Sequence, residues 1–272
     1  MTNSEKILVA YDGSPHSRAA LEWAVLLGNN GNAELDVVKV FEPILRHYTR
    51  GDYDIKEQIA KQYADMVQAD RQMMEEVKAV CKEECKLKVH VDVLRGHVAS
   101  TLLEYAQEKG FGMIAAGTKG HGALEEMLVG SVTSSLVSLS DVPVLVVKGR
   151  KAPISLQKIL VAYDGSDFAD AALNMAIDIG KRAGAAITAV KVKDPLDLMV
   201  LSVEDSGGAE KLRSIMLEID EADEKLLNNA KSIARNRGME IAATVLPDGG
   251  VSEMILQYAE EINADMIVAG TL

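Results

Sequence analysis

Short apolar runs alternate with stretches of helical period along the first half of the chain. Residues 7–11 form an apolar run without helical period, which is typical of a buried parallel strand. Ser14 is expected to cap a helix that begins at Pro15 and ends at Gly28. The first part of the chain is therefore predicted to be a strand, a turn and a helix.

The same alternation continues to about residue 147. Residues 87–94 alternate apolar and polar side chains, which predicts a half-exposed edge strand. Strands separated by helices indicate a parallel sheet with helices on both faces, and we expect five strands in the order 3-2-1-4-5. Further strands are predicted at 35–40, 113–116 and 142–147, and further helices at about 56–85, 98–109 and 131–139.

The chain contains an internal repeat. Residues 7–28 and 159–180 share thirteen of twenty-two positions, and residues 102–118 match residues 255–271. Duplication of one α/β domain explains this self-similarity. We expect a first domain at 1–148, a polar linker at 149–158 that contains Pro153, and a second domain at 159–272. The second copy is expected to stop after its fourth strand, so that its glycine loop, last helix and fifth strand are missing.

Composition narrows the classes of partner. Forty-one acidic and 29 basic residues give a formal net charge of -12, which disfavours nucleic acid and anionic lipid surfaces as partners. The sequence shows no secretory h-region and no uninterrupted run of 18 apolar residues, and its two cysteines suit reduced thiols. We therefore expect a cytoplasmic protein that does not bind membranes. A small anion is still an expected ligand, since helix-start amides hold phosphate without a basic surface.

A glycine motif follows the predicted fourth strand. Gly117, Gly120 and Gly130 are separated by two and by nine residues, and Ser131 follows directly. Glycine lets a phosphate chain approach the backbone closely and permits positive φ angles. The helix predicted from Ser131 would direct its first amides at such a ligand, with Ser131 and Thr133 adding hydroxyl donors. The alternative is that these glycines serve only as turn and cap residues.

A second signal falls at the same predicted rim of the sheet. Asp12, Gly13 and Ser14 follow the first strand as the glycine motif follows the fourth. These strands are neighbours where the winding of the sheet reverses, and open α/β sheets bind ligands at that point. Asp12 alone would be explained equally well as a turn residue.

These features resemble the universal stress protein family, and the glycine spacing resembles its ATP-binding class. The resemblance covers the first copy and the second copy up to Leu272. It implies that Asp12 and the backbone near Val40 contact adenosine and that Gly117 lies beside the ribose. It also places around the phosphates the residues Gly120, Gly130, Ser131, Val132 and Thr133, with Gly13, Ser14 and Thr118 completing the expected nucleotide site. One departure is Gly112, where the family usually has an aspartate, as the second copy has at Asp265.

Some candidate residues have less certain roles in the sequence. The second copy keeps Asp164, Gly165, Ser166 and Val192, but without its phosphate loop nucleotide binding there is left open. Lys119 and His121 are candidates to approach phosphate, although a loop lysine is more often simply solvated. A surface or loop role without a metal cluster is expected for the histidines, which are His16, His47, His90, His97 and His121.

Three functions are compatible with this sequence. The preferred one is a regulatory module of the stress response that binds ATP, with Mg²⁺ as counter-ion, hydrolyses it very slowly or not at all, and acts on an unidentified protein partner. The second is an ATP-hydrolysing enzyme, which would need a catalytic group from loop 41–55, such as Glu42, His47 or Asp52. The third is a nucleotide-free adaptor.

The resemblance also implies an assembly. Single-domain members of the family commonly dimerise through their fifth strands, here residues 142–147, since that edge must be covered. In a tandem chain the two copies are expected to pair with each other as a pseudo-dimer. If the second copy lacks its fifth strand, we expect that edge to pair with a second chain.

Overall fold

The chain folds as two units, Met1–Ile154 and Ser155–Leu272. A computed structural model describes them over residues 6–31, 33–42, 53–84, 87–120, 129–149, 152–193 and 208–271. Leu156, inside the expected linker, is buried in the second unit. The expected domain limits of 1–148 and 159–272 stay predictions.

The first unit has the predicted α/β order. Its sheet runs β3-β2-β1-β4-β5 with every neighbouring pair parallel, which confirms the expected topology. Its elements are β1 (Lys6–Ala10), α1 (Pro15–Gly31), β2 (Glu34–Phe41), α2 (Tyr53–Glu84), β3 (Lys88–Arg95), α3 (Val98–Lys109), β4 (Met113–Gly117), α4 (Ser131–Leu139) and β5 (Val144–Val147).

The second unit repeats this order through its fourth strand, as expected. Its sheet runs β8-β7-β6-β9 and is also parallel throughout. Its elements are β6 (Lys158–Ala162), α5 (Asp167–Ala183), β7 (Ala186–Val192), α6 (Gly208–Asn236), β8 (Ala242–Leu246), α7 (Val251–Glu261) and β9 (Met266–Val268).

Burial follows from the position of each strand in the sheet. Ile7, Leu8 and Val9 of the central strand β1 are all at most 1% exposed, because helices cover both faces of the sheet. On one face Leu8 packs in a cluster with residues of α3 and α4. By contrast, β3 is an edge strand and alternates half-buried and exposed positions along most of its length, which confirms the prediction from its alternating pattern.

Three predicted boundaries were wrong by two or three residues. One is the start of α2, which lies at Tyr53 and not at about 56. Helix α1 continues through Gly28 to Gly31. Gly28 is therefore not a helix end, and its lack of a side chain serves packing, since a Cβ there would lie 2.8 Å from Leu87 Cδ1. Strand β5 begins at Val144 and not at 142, since the amide of Val142 donates to Ser140 Oγ in the preceding turn. At Gly28 and Val142 the backbone contacts a side chain, Leu87 in one case and Ser140 in the other. The pattern of apolar and polar residues does not reveal such contacts.

The corner where Gly112 replaces aspartate is remote from the carboxyl rim, as expected. In the second unit Asp265 Oδ2 accepts bonds from the amides of Gln157 and Lys158 at the start of β6. The backbone bond at this corner is common to both units: Gly112 donates its amide to Lys6 O, as Asp265 donates its amide to Lys158 O, so only the side-chain bonds are missing in the first unit. The difference between the copies therefore concerns the amino-terminal rim of each sheet.

Candidate functional site

The two segments singled out by the sequence meet at one rim of the first sheet. Strands β1 and β4 are parallel neighbours, with Leu8 opposite Ile114, so the residues that follow them emerge side by side. The amide of Tyr11 still donates to the carbonyl of Val38 on β2, which holds the start of the Asp12 turn against the sheet. Residues 12–14 and 117–120 therefore face each other.

The Asp12 turn is built by local hydrogen bonds. Asp12 Oδ1 accepts the amide of Ser14 at 2.9 Å, and Gly13 has φ +84, in the left-handed region that favours glycine. Ser14 Oγ in turn accepts the amide of Ser17 at 3.2 Å, which confirms Ser14 as the helix cap. The turn thus directs the Asp12 carboxyl across the rim while starting α1.

The glycine loop approaches this turn more closely than a side chain would allow. A Cβ on Gly120 would lie 2.6 Å from Asp12 Oδ2. A Cβ on Gly117 would lie 2.6 Å from the backbone carbon and the Cβ of His16. The Lys119 carbonyl oxygen lies 3.3 Å from Ser14 Oγ. These glycines are therefore required by contact between segments, beyond any role as turn residues; residues 121–128, with His121, lie outside the described residues.

Helix α4 begins at this rim without a side-chain cap. Gly130 is its N-cap and has no side chain to accept a first-turn amide; its own amide donates to Thr118 O at 2.7 Å. Among the described residues, no acceptor is recorded for the amides of Ser131 and Val132. A helix start with open amides and a partial positive charge of about half a unit suits an anion.

Thr133 has a different position from the one expected. Its hydroxyl donates to Gly117 O at 2.6 Å and the residue is 4% exposed. The hydroxyl proton therefore joins α4 to the end of β4 and is not directed at a ligand. Ser131, in contrast, is exposed and keeps its expected place at the helix start.

Two residues of this corner were missed by sequence reasoning. His16, expected to have a surface or loop role, is half-buried in the first turn of α1, and its Nδ1 lies 2.9 Å from Thr118 Oγ1. Ser17 is 3% exposed and its hydroxyl donates to Ser14 O. In the described part of the chain, four of five buried polar or charged residues lie at this corner, which are Ser14, Ser17, Thr118 and Thr133. Buried polar groups in one place indicate an organised site.

Val40 lies near the end of β2 on the face covered by α3. It is half-buried and packs against the cluster that contains Leu8, Val38 and Leu136. The resemblance assigned its backbone to adenosine, and the structure puts it on the strand next to the one that leads into Asp12. An apolar strand end beside a carboxylate suits a nucleoside, which has a flat base and a polar sugar.

Comparison with known proteins decides the family. The model of the universal stress protein family matches residues 3–148 and again 155–271. The chain belongs to the universal stress protein family. It carries the family unit twice, which confirms the tandem organisation inferred from the repeat.

Individual relatives agree with this assignment. A universal stress protein of Mycolicibacterium smegmatis is 30% identical over 194 residues, which are 68% of this chain and 63% of the relative. One from Methanocaldococcus jannaschii is 29% identical over 149 residues, covering 54% of this chain and 84% of the relative. The match thus spans about three fifths of the mycobacterial relative's length.

Solved structures show the same fold. A universal stress protein from Archaeoglobus fulgidus superposes with a TM-score of 0.63 at 22% identity, covering 97% of this chain and 86% of that one. A protein of unknown function from Pseudomonas aeruginosa gives a TM-score of 0.64 at 17% identity over the whole chain and 83% of its own. At these identities the likeness concerns architecture alone.

The second stress-protein unit keeps the same turn at its own carboxyl rim. Asp164 Oδ1 accepts the amide and the hydroxyl of Ser166, at 3.0 and 2.7 Å, and Gly165 has φ +80. The hydroxyl bond holds the pKa of Asp164 below its usual value. A cleft of about 320 Å³ opens there, lined among others by Asp164, Val192, Val251 and Gly270.

Another cleft lies at the amino-terminal rim of the first sheet. It has about 400 Å³ and is lined by the amino ends of β1, β2 and β3 and by α3. Its charges are largely satisfied already: Lys88 pairs with Glu34 at 3.0 Å, and Tyr105 donates to Asp36 at 3.1 Å. Burial and the Asp36 carboxylate raise the pKa of Tyr105 to about 12. This cleft contains none of the residues assigned to nucleotide.

Two absences concern the described residues only. Within them no three His, Cys, Asp or Glu side chains come together as a metal site. None of the helices described is both long and apolar enough to cross a bilayer.

Proposed function

We propose that the first unit binds ATP at the rim formed by residues 12–14, 117–120 and 130–133, and that this chain acts in the cytoplasm as a regulatory module of the stress response. The observation that supports the proposal best is the contact between Gly120 and the Asp12 carboxylate. A Cβ added to Gly120 would lie only 2.6 Å from Asp12 Oδ2. Two segments about a hundred residues apart meet there with backbone exposed and no side chain between them.

The phosphates are assigned to the start of α4. Gly130 leaves the first-turn amides of Ser131 and Val132 without a capping side chain, so an oxygen of the ligand takes the place of the cap. Because this attraction is local, it operates despite the formal net charge of -12. The exposed Ser131 hydroxyl adds one donor.

The nucleoside is assigned to the Asp12 side. An ionised carboxylate only accepts hydrogen bonds and repels phosphate, so it suits the two ribose hydroxyls and not the triphosphate. Val40 supplies an apolar strand end and a backbone for the base. This places the phosphates and the sugar at opposite ends of one crevice.

Mg²⁺ would be held chiefly by the phosphates themselves. The ion keeps several waters and commonly needs only one or two protein ligands beside substrate phosphates. The absence of a three-ligand cluster among the described residues is consistent with that arrangement. At the phosphate end of the rim, the exposed Ser131 hydroxyl is a side-chain oxygen that could act as one such ligand.

We propose a regulatory role and not turnover because the described rim lacks a second carboxylate beside Asp12 that could act as general base. Of the alternative catalytic loop 41–55, residues 43–52 with His47 and Asp52 lie outside the described residues. The enzyme hypothesis has a direct test: ATPase turnover of about one per second or faster, abolished by Asp12→Ala, would replace the regulatory one.

Calorimetric titration of ATP, ADP, AMP and adenosine tests the binding itself. In Gly130→Val the new Cβ would lie 3.3 Å from Thr118 O and the branched side chain would stand over the phosphate site. We expect this substitution to lower the affinity for ATP at least tenfold, whereas adenosine should still bind. Leu139→Val puts the same residue at the exposed far end of α4 and should bind ATP as the wild type does. If the wild-type protein is purified without bound nucleotide and binds no adenine nucleotide in the titration, the hypothesis of a nucleotide-free adaptor is favoured.

The assembly is proposed on the same basis. Strand β5 is an edge of its sheet and exposes Val146 to 38%, so this edge is expected to pair either with the other repeat or with a second chain. Sedimentation of the wild type and of Val146→Lys distinguishes the two: a dimer dissociated by the lysine indicates pairing between chains.

A further inference from the structure

We infer that His16 is a positioning residue for the phosphate end of this site, which rests on the proposed function of the first unit. His16 lies outside the residues that the resemblance assigns to the ligand. It acts on the glycine loop through one buried hydroxyl, that of Thr118.

The His16 ring is held from two directions. Its Nδ1 lies 2.9 Å from Thr118 Oγ1. On another side, the segment after β5 crosses it at Gly149, which has φ +65 and whose Cβ would lie only 3.1 to 3.3 Å from three atoms of the ring. The imidazole is therefore packed between the end of β5 and the end of β4, where a ring can move little.

Thr118 carries this restraint to the start of α4. The residue is 6% exposed, and each of its three polar groups has a partner. Its amide donates to Val147 O at 2.9 Å, its hydroxyl bonds His16, and its carbonyl accepts the amide of Gly130 at 2.7 Å. A change in Thr118 is thus passed directly to the N-cap of the helix that is proposed to hold the phosphates.

The second unit shows that the backbone packing alone does not need a histidine. Phe168 occupies the matching position, and a Cβ on Gly270 would meet its backbone at 2.6 Å, as a Cβ on Gly117 meets that of His16. The close approach of strand end and helix is therefore common to both units. The polar bond to a threonine is the property that histidine adds in the first.

The bond between His16 and Thr118 does not require one particular tautomer of the ring. A hydroxyl both donates and accepts, so Thr118 Oγ1 can bond Nδ1 with or without its proton. We therefore expect this hydrogen bond to restrain the glycine loop with either tautomer of the ring. It raises affinity by keeping the loop in its bound geometry before the ligand arrives.

The test compares ATP with adenosine as probes in calorimetric titrations. His16→Phe, which copies the second unit, should weaken ATP by about three- to tenfold, the value of one hydrogen bond, and leave adenosine within about twofold. His16→Asn offers a polar atom close to Nδ1 and should restore most of the ATP affinity. In a Thr118→Val background, adding His16→Phe should change the ATP affinity very little, since both substitutions remove the same hydrogen bond.

A ligand-free measurement accompanies the titrations. Amide hydrogen exchange at Gly130 should be faster in His16→Phe than in the wild type, because the acceptor carbonyl of Thr118 is less restrained. His90→Phe is the matched control: His90 is exposed on β3, and neither affinity nor exchange should change.

Three results would overturn the inference. The first is wild-type ATP affinity in His16→Phe. The second is an equal loss of ATP and adenosine, which would indicate general destabilisation. The third is unchanged exchange at Gly130. Failure of the proposed function looks different: the wild type itself would then bind no ATP, whereas the exchange measurement would still report whether His16 fastens the loop.

Discussion

The contact between Gly120 and Asp12 provides the sharpest prediction about the site. In Gly120→Ala the added Cβ would lie 2.6 Å from Asp12 Oδ2 and 3.7 Å from its Cγ. Cβ atoms essentially never approach another heavy atom within 3.0 Å, so the carboxylate has to move. It can do so because only a flexible side-chain end is in contact, and the backbone stays in place.

The size of the effect follows from the role proposed for Asp12, which is to accept hydrogen bonds from the ribose. Movement of the carboxylate loosens the bond from the Ser14 amide, which should lower the free energy of unfolding by only about 1 kcal/mol. A hydrogen bond from ribose to a charged group contributes about 1.5–3 kcal/mol, so affinity for adenosine should fall about tenfold or more. Binding is thus expected to suffer more than stability.

Calorimetry with adenosine and urea unfolding measure the two quantities separately. Gly110→Ala is the matched control, because Gly110 has φ +67 and open space around its missing Cβ. That variant should lose about 1–2 kcal/mol of stability through backbone strain and keep full affinity. The reasoning is refuted if Gly120→Ala binds adenosine as the wild type does, or if both variants lose affinity equally.

Two further predictions concern the second unit. Gly270→Ala should destabilise it by about 1–3 kcal/mol or more, because the new Cβ would meet the backbone of Phe168 at 2.6 Å; an unchanged urea midpoint would contradict the contact. Tyr163 donates to Asp170 at 2.6 Å, and burial raises its pKa from 10.0 to about 12. The folded state therefore holds this proton more tightly, so the stability it adds is complete below pH 10 and is lost as the pH rises to about 12. The stability gap between wild type and Tyr163→Phe should shrink over that range by roughly 2–3 kcal/mol at most, as measured by urea unfolding at each pH; a constant gap would exclude this assignment.

Much of the fold was predictable because its signals are local or repeated. An unbroken apolar run predicts β1, strict alternation predicts β3, and both α3 and α4 begin and end where their patterns predict. The repeat predicted two units of one type, and the family comparison confirms it. Errors of two or three residues occurred at the end of α1, the start of α2 and the start of β5. At Gly28 and Val142 the structure shows a side-chain contact that the sequence pattern does not reveal.

The candidate site was predictable only as a list of segments. Turn chemistry and glycine spacing indicated that residues 12–14 and 117–133 belong to one rim, because parallel strand order places their ends together. The inner arrangement was not predictable. Thr133 was expected to present its hydroxyl to a ligand, yet in the fold that hydroxyl donates to Gly117.

Sequence by itself determined the architecture of this protein, since periodicity, caps and duplication are properties of neighbouring residues. Only the tertiary structure showed which contacts require glycine at positions such as Gly120, and that His16 bonds Thr118. The bond between His16 and Thr118 joins residues 102 positions apart, and the contact of Gly120 with Asp12 is of similar span. Such contacts depend on how the strand ends pack, and no pattern along the chain encodes the distance between two side chains brought together by a sheet.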